Sequence, residues 1–242
     1  IHSGDRAMVL PPHTLGKDII EAIRRNTYAM AKELNVMGLM NIQYAVKNNI
    51  VYVLEVNPRA SRTVPFVSKI IGVPLANLAT KIMLGKSLEE LGFTKEKSVN
   101  CFAVKESVFP FIRFPGTDAI LGPEMKSTGE VMGVDSTFGA AYMKSQIAAG
   151  QKLETKGNVF ISVKNQDKRN IVMIAKKLAD LGFKITATSG TANTLSRNDI
   201  KVETIPRLSE GRPNIIDFIK DGKVALVINT PSGKIAKEDE LK

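Results

Sequence analysis

The chain has 242 residues, 43% hydrophobic and 24% charged, enough for one large domain or two modest ones at roughly 150 residues each. This composition excludes a wholly disordered chain and a disulfide-built mini-protein; no apolar run reaches the roughly 18 residues of a membrane helix, and the single cysteine, Cys101, points to a reducing cytoplasm. The 34 Lys and Arg against 24 Asp and Glu give a net charge of +10, spread along the chain, which suits anionic ligands and equally suits mere solubility.

In chain order, the opening run Ile1-His2-Ser3-Gly4-Asp5 reads as mid-domain sequence. Residues 14–36 carry Ile19, Ile20, Ile23, Met30 and Leu34 at helical spacing, with Gly38 as the stop. Residues 38–46 and 50–57 form two extended runs separated by Lys47-Asn48-Asn49, a hairpin because Asn tolerates positive φ. Short helices are expected over 65–71, 74–84 and 86–92, the last capped by Ser87. Residues 101–108 look extended, with Cys101 a core residue rather than a nucleophile; 116–133 look turn-rich and 136–149 helical. Residues 150–157 read as a linker, dividing the chain into domains 1–150 and 151–242.

Beyond the linker, strands at 159–163, 183–186, 201–204 and 224–228 alternate with helices at 168–181, 191–195 and 215–219. Alternating elements with continuously apolar strands predict a parallel sheet covered on both faces. The charged stretch 234–242 contains no evident closing element, so the whole reads as a piece of a longer polypeptide.

The hairpin carries the sharpest chemical signal. Gln43, Glu55 and Asn57 bring oxygens into otherwise apolar strands. A two-residue loop, pairing Lys47 with Ile50, sends Gln43 and Glu55 to opposite faces, whereas a three-residue loop puts Gln43, Glu55 and Asn57 on one face. The second arrangement suits Mg²⁺, which takes oxygen ligands, and Arg59 and Arg62 follow at once with guanidinium forks matched to phosphate oxygens. We therefore expect an odd-numbered loop. The bland alternative is a hairpin whose polar face is only solvated. In the second domain, Thr188-Ser189-Gly190-Thr191 and Asn229-Thr230-Pro231-Ser232-Gly233 both follow strands, where open α/β sheets bind ligands, and Lys168 opens a helix nearby. Each loop alone is as well explained as a helix cap. His2 and His13 have no second ligand at metal spacing.

Leu39-Met40-Asn41-Ile42-Gln43 with the run from Val53 through Glu55-Val56-Asn57-Pro58-Arg59 to Arg62-Thr63 closely resembles the signature of the large subunit of carbamoyl phosphate synthetase. Phe114-Pro115-Gly116-Thr117-Asp118 and the run from Leu121 to Gly133 extend the likeness over essentially the whole chain. The resemblance implies α/β architecture: the C-terminal part of an ATP-grasp domain, with an antiparallel hairpin and helices, then a parallel-sheet domain resembling methylglyoxal synthase. It implies ATP with Mg²⁺ or Mn²⁺ held around Gln43, Glu55 and Asn57, with K⁺ as a further cation. It also implies nucleotide contacts at Ile1, His2 and Ser3, with Arg59 and Arg62 at the phosphate and carbamate end. Asp5 and Glu106 match acids implicated in ornithine binding, and Lys168, Thr188, Thr191, Arg207, Asn229 and Thr230 match a pocket for UMP and IMP. Two residues depart from the pattern: Arg207 stands where Lys is usual, and Pro231 replaces a Thr, which puts effector choice in question.

The expected activity is phosphorylation of carbamate by ATP, with ammonia from a glutaminase small subunit, serving pyrimidine and arginine biosynthesis. An oligomer is compatible with the resemblance; a membrane or nucleic-acid partner is not expected. The stretch alone is expected to be inactive, because an ATP-grasp site is closed by a preceding subdomain. Rival readings are another ATP-grasp carboxylate ligase, methylglyoxal synthase itself, whose chemistry is associated with a His that this chain lacks after His13, and a basic nucleic-acid-binding or stand-alone nucleotide-binding module.

Overall fold

The computed structural model describes residues 1–114, 116–152 and 154–231. The chain divides into two units, Ile1–Lys152 and Leu153–Lys242. Ser232-Gly233 and the charged stretch 234–242 lie outside the described residues, as does Pro115.

The first unit is built on two antiparallel sheets. β1 (Met8–Leu10), β4 (Phe102–Val108) and β5 (Gly129–Asp135) form one, in the order β1-β4-β5. β4 alternates its side chains between two covered faces. Ala103, Lys105 and Ser107 are all buried on one side, where Lys105 meets Glu130 at 2.8 Å. On the other side lies α4 (Phe138–Ala148), capped by the Thr137 hydroxyl, which accepts the Ala140 N–H at 3.3 Å. Glu106 faces this helix and accepts from Gln146 at 2.7 Å. Gly133 is required there: a Cβ on it would run into the Ala141 carbonyl and the Ser145 amide of the α4 backbone. His13 stacks on Phe138 with centroids 4.3 Å apart and meets Phe102 edge-on, an aromatic packing role.

α1 (Lys17–Glu33) precedes the second sheet, formed by β2 (Asn41–Lys47) and β3 (Ile50–Asn57). The helix stops earlier than its apolar spacing suggests, because Asn35 takes the left-handed conformation at φ 48. The Tyr44 hydroxyl lies 2.8 Å from that of Thr27 in α1, so the even-numbered face of β2 looks toward the helix. α2 (Thr63–Ile71) and α3 (Leu75–Met83) follow. The helix expected over 86–92 is a turn instead. Ser87 makes the expected capping bond, its hydroxyl accepting the Glu90 N–H at 3.2 Å, and the Glu90 carboxylate in turn accepts the Ser87 N–H at 2.8 Å, but Gly92 at φ 64 ends the segment after one turn. Cys101 stands just before β4 and is half-buried rather than a core residue. The expected turn region is shorter than 116–133, since its last residues join β5.

The second unit is a four-stranded parallel sheet, β8-β7-β6-β9, built from β6 (Asn158–Val163), β7 (Lys184–Ala187), β8 (Glu203–Thr204) and β9 (Leu226–Thr230). α5 (Lys168–Asp180) and α6 (Ser189–Ser196) connect the strands, and α7 (Ile215–Lys220) precedes β9. Val159, Ile161, Ile171, Ala175, Ile185, Ala187, Ala192, Leu195 and Ile200 form its core. The parallel sheet is the one predicted, but it is not covered on both faces throughout: Leu226 and Val227 of β9 and both residues of β8 are exposed. Among the described residues, no single helix is long and apolar enough to cross a membrane.

Candidate functional site

The hairpin loop has two residues, not the odd number expected. Lys47 pairs directly with Ile50, and Asn48 and Asn49 take φ of 51° and 61°, the paired left-handed conformation of a tight hairpin turn. In a regular ladder this register would set Gln43 against Leu54 and turn Glu55 to the other face. The strands avoid that outcome with a bulge. Tyr44 pairs with Val53 and Gln43 with Glu55, leaving Leu54 as the extra, unpaired residue. Asn41 then pairs with Asn57. Asn41, Gln43, Glu55 and Asn57 therefore share the face turned away from Tyr44 and α1, and Gln43 is the direct neighbour of Glu55 rather than a diagonal one. The Asn57 side-chain amide donates to the Glu55 carboxylate.

This donor set fits a hard divalent cation. One carboxylate and neighbouring amide oxygens lie on an accessible face, and Mg²⁺ characteristically takes one or two carboxylates and fills its shell with water and substrate phosphates. The clustering differs from a metal centre made only of acids and imidazoles: among the described residues no group of three or more His, Cys, Asp or Glu is placed to hold a metal.

The chain leaves β3 through a tight turn in which the Arg59 N–H donates to the Asn57 carbonyl at 2.8 Å. Arg59 is exposed, its guanidinium donating to the Ala60 carbonyl at 3.1 Å. Arg62 immediately precedes α2, and its guanidinium contacts the Met125 sulfur. Both cations thus follow the oxygen-bearing face within seven residues of Glu55.

The opening segment is held close by. The Gly4 carbonyl accepts from the hydroxyls of Ser107 at 3.0 Å and Ser127 at 3.1 Å, and the Gly4 N–H donates to His2 Nδ1 at 3.0 Å. The His2 N–H donates to the Gly122 carbonyl at 2.9 Å. Ile1 and Ser3 are exposed beside this anchored run. Asp5 is buried, and its two oxygens accept the N–H groups of Lys126 at 3.0 Å and Ser127 at 2.9 Å. Burial pushes its carboxyl up, but the N–H of Lys126 and the hydroxyl and N–H of Ser127 outweigh this and hold it below the usual aspartate value. Asp5 and Glu106 are engaged with different partners, Asp5 with the 126–127 backbone and Glu106 with Gln146 and the Ser107 N–H. No described contact brings the two carboxylates together. Sequence reasoning missed Ser107, Ser127 and Met125, whose roles depend on neighbours far away in the chain.

In the second unit, the predicted residues converge where β6, β7 and β9 end. A Cβ placed on Gly190 would lie 3.2 Å from Lys168 Nζ, so the ammonium sits over the start of α6. The Thr188 hydroxyl donates to Ser162 at 3.3 Å, and Ser162 pairs with Asn229 across the β6–β9 ladder. Thr191 is buried, its hydroxyl oxygen accepting the Val163 N–H at 3.3 Å, and the Thr230 hydroxyl accepts the Lys164 N–H at 3.0 Å. Thr191 and Thr230 therefore stitch strand ends together. Arg207 is exposed and faces Glu210, 3.8 Å away; no described contact joins it to the other five. Ser162 was missed by sequence reasoning, though a lone hydroxyl near the carboxyl end of an apolar strand was a usable signal.

Residues 1–91 match the family described as carbamoyl-phosphate synthase L chain, ATP binding domain, and residues 170–242 match the MGS-like domain. Over 99% of its length the chain is 56% identical to the carbamoyl phosphate synthase large chain of Methanothermobacter thermautotrophicus. The chain belongs to the carbamoyl phosphate synthase large-chain family. It is also 57% identical over 97% of its length to the Archaeoglobus fulgidus large chain. It is 53% identical over 99% of its length to the C-terminal section of the Aquifex aeolicus large chain. The chain spans 23%, 22% and 48% of these three relatives respectively. The pairing of an ATP-binding segment with an MGS-like domain, both on one chain, sets this family apart from the rival ligase and methylglyoxal synthase readings.

Proposed function

We propose that this chain contributes the site at which ATP phosphorylates carbamate in a carbamoyl phosphate synthase large chain. A carbamate oxygen attacks the γ-phosphorus, the bond from that phosphorus to the β,γ-bridging oxygen breaks, and ADP leaves. The observation that supports this most is the direct Gln43–Glu55 pair on one face of the hairpin, followed at once by Arg59 and Arg62. Gln43, Glu55 and Asn57 would hold Mg²⁺ or Mn²⁺ with the nucleotide, and a bound divalent ion neutralises phosphate charge. The two guanidiniums orient the carbamate and the transferred phosphoryl oxygens, since forked N–H donors match that geometry. His2 and Ser3 lie on an anchored segment suited to contact the nucleotide. Ammonia from a glutaminase partner, a role in pyrimidine and arginine biosynthesis, and a cytoplasmic setting complete this reading.

The test is the reverse half-reaction in the full-length large chain, ATP formation from MgADP and carbamoyl phosphate. Glu55→Gln should lower turnover by about a hundredfold or more, because it removes the one carboxylate of the set, while the melting temperature stays near the wild-type value. Unchanged turnover would remove the metal role from this face.

For the second unit we propose a nucleotide monophosphate site at the ends of β6, β7 and β9, with UMP and IMP as candidates. Lys168 over the start of α6 supports it, since a helix N-terminus with a nearby ammonium favours phosphate. Calorimetric titration of the full-length protein with UMP and IMP should show binding that Lys168→Ala weakens by about tenfold or more. Binding untouched by that substitution would contradict the assignment. Ornithine recognition through Asp5 and Glu106 would require a rearrangement that frees Asp5 from the 126–127 amides.

A further inference from the structure

Gly4 is buried, and its main chain is fixed from both sides. Its carbonyl accepts from Ser107 and Ser127, its N–H donates to His2, and the next residue, Asp5, is tied to the amides of Lys126 and Ser127. The backbone here has little freedom to retreat. A Cβ built on Gly4 would lie 2.5 Å from Arg62 Nη1, 2.7 Å from Met125 Sδ and 3.1 Å from His2 Nδ1. All three obstacles are side-chain rather than backbone atoms, and the nearest is the Arg62 guanidinium, which itself touches the Met125 sulfur. The chain could therefore fold around an added methyl group, but only by moving that guanidinium together with the Met125 thioether it contacts.

We propose that Gly4 is a positioning residue for the phosphoryl-transfer site: its missing side chain keeps open the volume in which the Arg62 guanidinium is held. The inference rests on the carbamate-phosphorylation reading given above. It makes Ser107 and Ser127 supports of the same device, since their hydroxyls keep the Gly4 carbonyl, and hence the Cα, in place. The requirement is for space rather than for an unusual backbone angle, so alanine, the smallest residue with a Cβ, is the informative substitution. Displacement of a positioning cation by about 1 Å can lower turnover by roughly a hundredfold.

The experiment measures ATP formation from MgADP and carbamoyl phosphate by the full-length large chain, with wild type, Gly4→Ala, Arg62→Ala and the double variant. Gly4→Ala should lower kcat/KM for carbamoyl phosphate by about tenfold or more, with KM for ADP changed by less than about threefold. On the Arg62→Ala background the same substitution should have no further effect beyond about twofold, because the group it displaces is already gone. Wild-type-like activity of Gly4→Ala, or an equal further loss on the Arg62→Ala background, would overturn the proposal while leaving the function intact. Inactive wild-type protein would overturn the function and this proposal together. If Gly4→Ala lowers the melting temperature, the double variant should recover part of the loss, since removing Arg62 also gives the Met125 thioether room to move; no recovery at all would mean that Arg62 is not the group displaced and would overturn the proposal.

Discussion

Asp5 shows how one side chain can be legible in type and illegible in role. Its sequence context marks an acid beside the opening run Ile1-His2-Ser3, for which nucleotide contact is proposed, but the backbone amides it accepts come from residues more than 120 positions away. Its contribution to stability has a defined pH window. The folded carboxyl lies below the ordinary value of 3.8, so the stabilisation is complete above that value and is lost as pH falls through the lower folded value. Asp5→Asn should lower the melting temperature at pH 7 and flatten the acid limb of the stability profile below about pH 4. An acid limb identical to wild type would show that these two amide bonds carry little weight. Ser107 and Ser127 illustrate the same limit: a buried hydroxyl, whether in a strand or in the segment before one, looks like filler until the carbonyl it serves is known.

At the level of elements, the periodicities were sufficient for most helices and for every strand except β1, a three-residue edge strand too short to show alternation, and β5, whose glycines at both Gly129 and Gly133 read as turn residues. The hairpin was legible in its existence and in its chemistry, but the route to a single face was not. An odd loop and a bulge solve the same parity problem, and a bulge leaves no distinctive residue type when the extra position is a leucine. The tight turn makes its own prediction. Both central residues are left-handed Asn, and glycine adopts that conformation without strain, so Asn49→Gly should stabilise the first unit by about 0.5 kcal/mol. Denaturant unfolding would check the sign. Gly133 makes the opposite prediction. Its Cβ would meet backbone atoms of α4, which cannot swing aside as side-chain ends do, so Gly133→Ala should cost about 1–3 kcal/mol or more. Retained stability would mean that α4 can lift from β5 at little cost.

Across the whole molecule, the two units divide the chemistry as they divide the chain. The first gathers oxygens and guanidiniums on an antiparallel hairpin and the loop that leaves it; the second offers hydroxyls and an ammonium at the ends of parallel strands. The second site was more legible from sequence, because every ligand candidate except Arg207 lies at a strand's carboxyl end or in the first turn of a helix; Asn229 and Thr230, expected in a loop after the strand, are instead its last two residues. The first depended on a register that only the folded strands reveal. Its central claim is that the bulge at Leu54 places Gln43 beside Glu55 to bind a divalent ion with nucleotide. The most direct measurement is Mn²⁺–ADP binding to the full-length large chain, read by water-proton relaxation, for wild type, Leu54→Ala, Gln43→Ala and Glu55→Ala. Leu54 is the unpaired bulge residue and contributes no oxygen to the shared face, so Leu54→Ala should bind as wild type does. Gln43→Ala and Glu55→Ala each remove one member of the direct pair and should weaken Mn²⁺–ADP binding by about tenfold or more while the far-ultraviolet circular dichroism is retained. Undiminished binding by folded Gln43→Ala and Glu55→Ala variants would contradict the account.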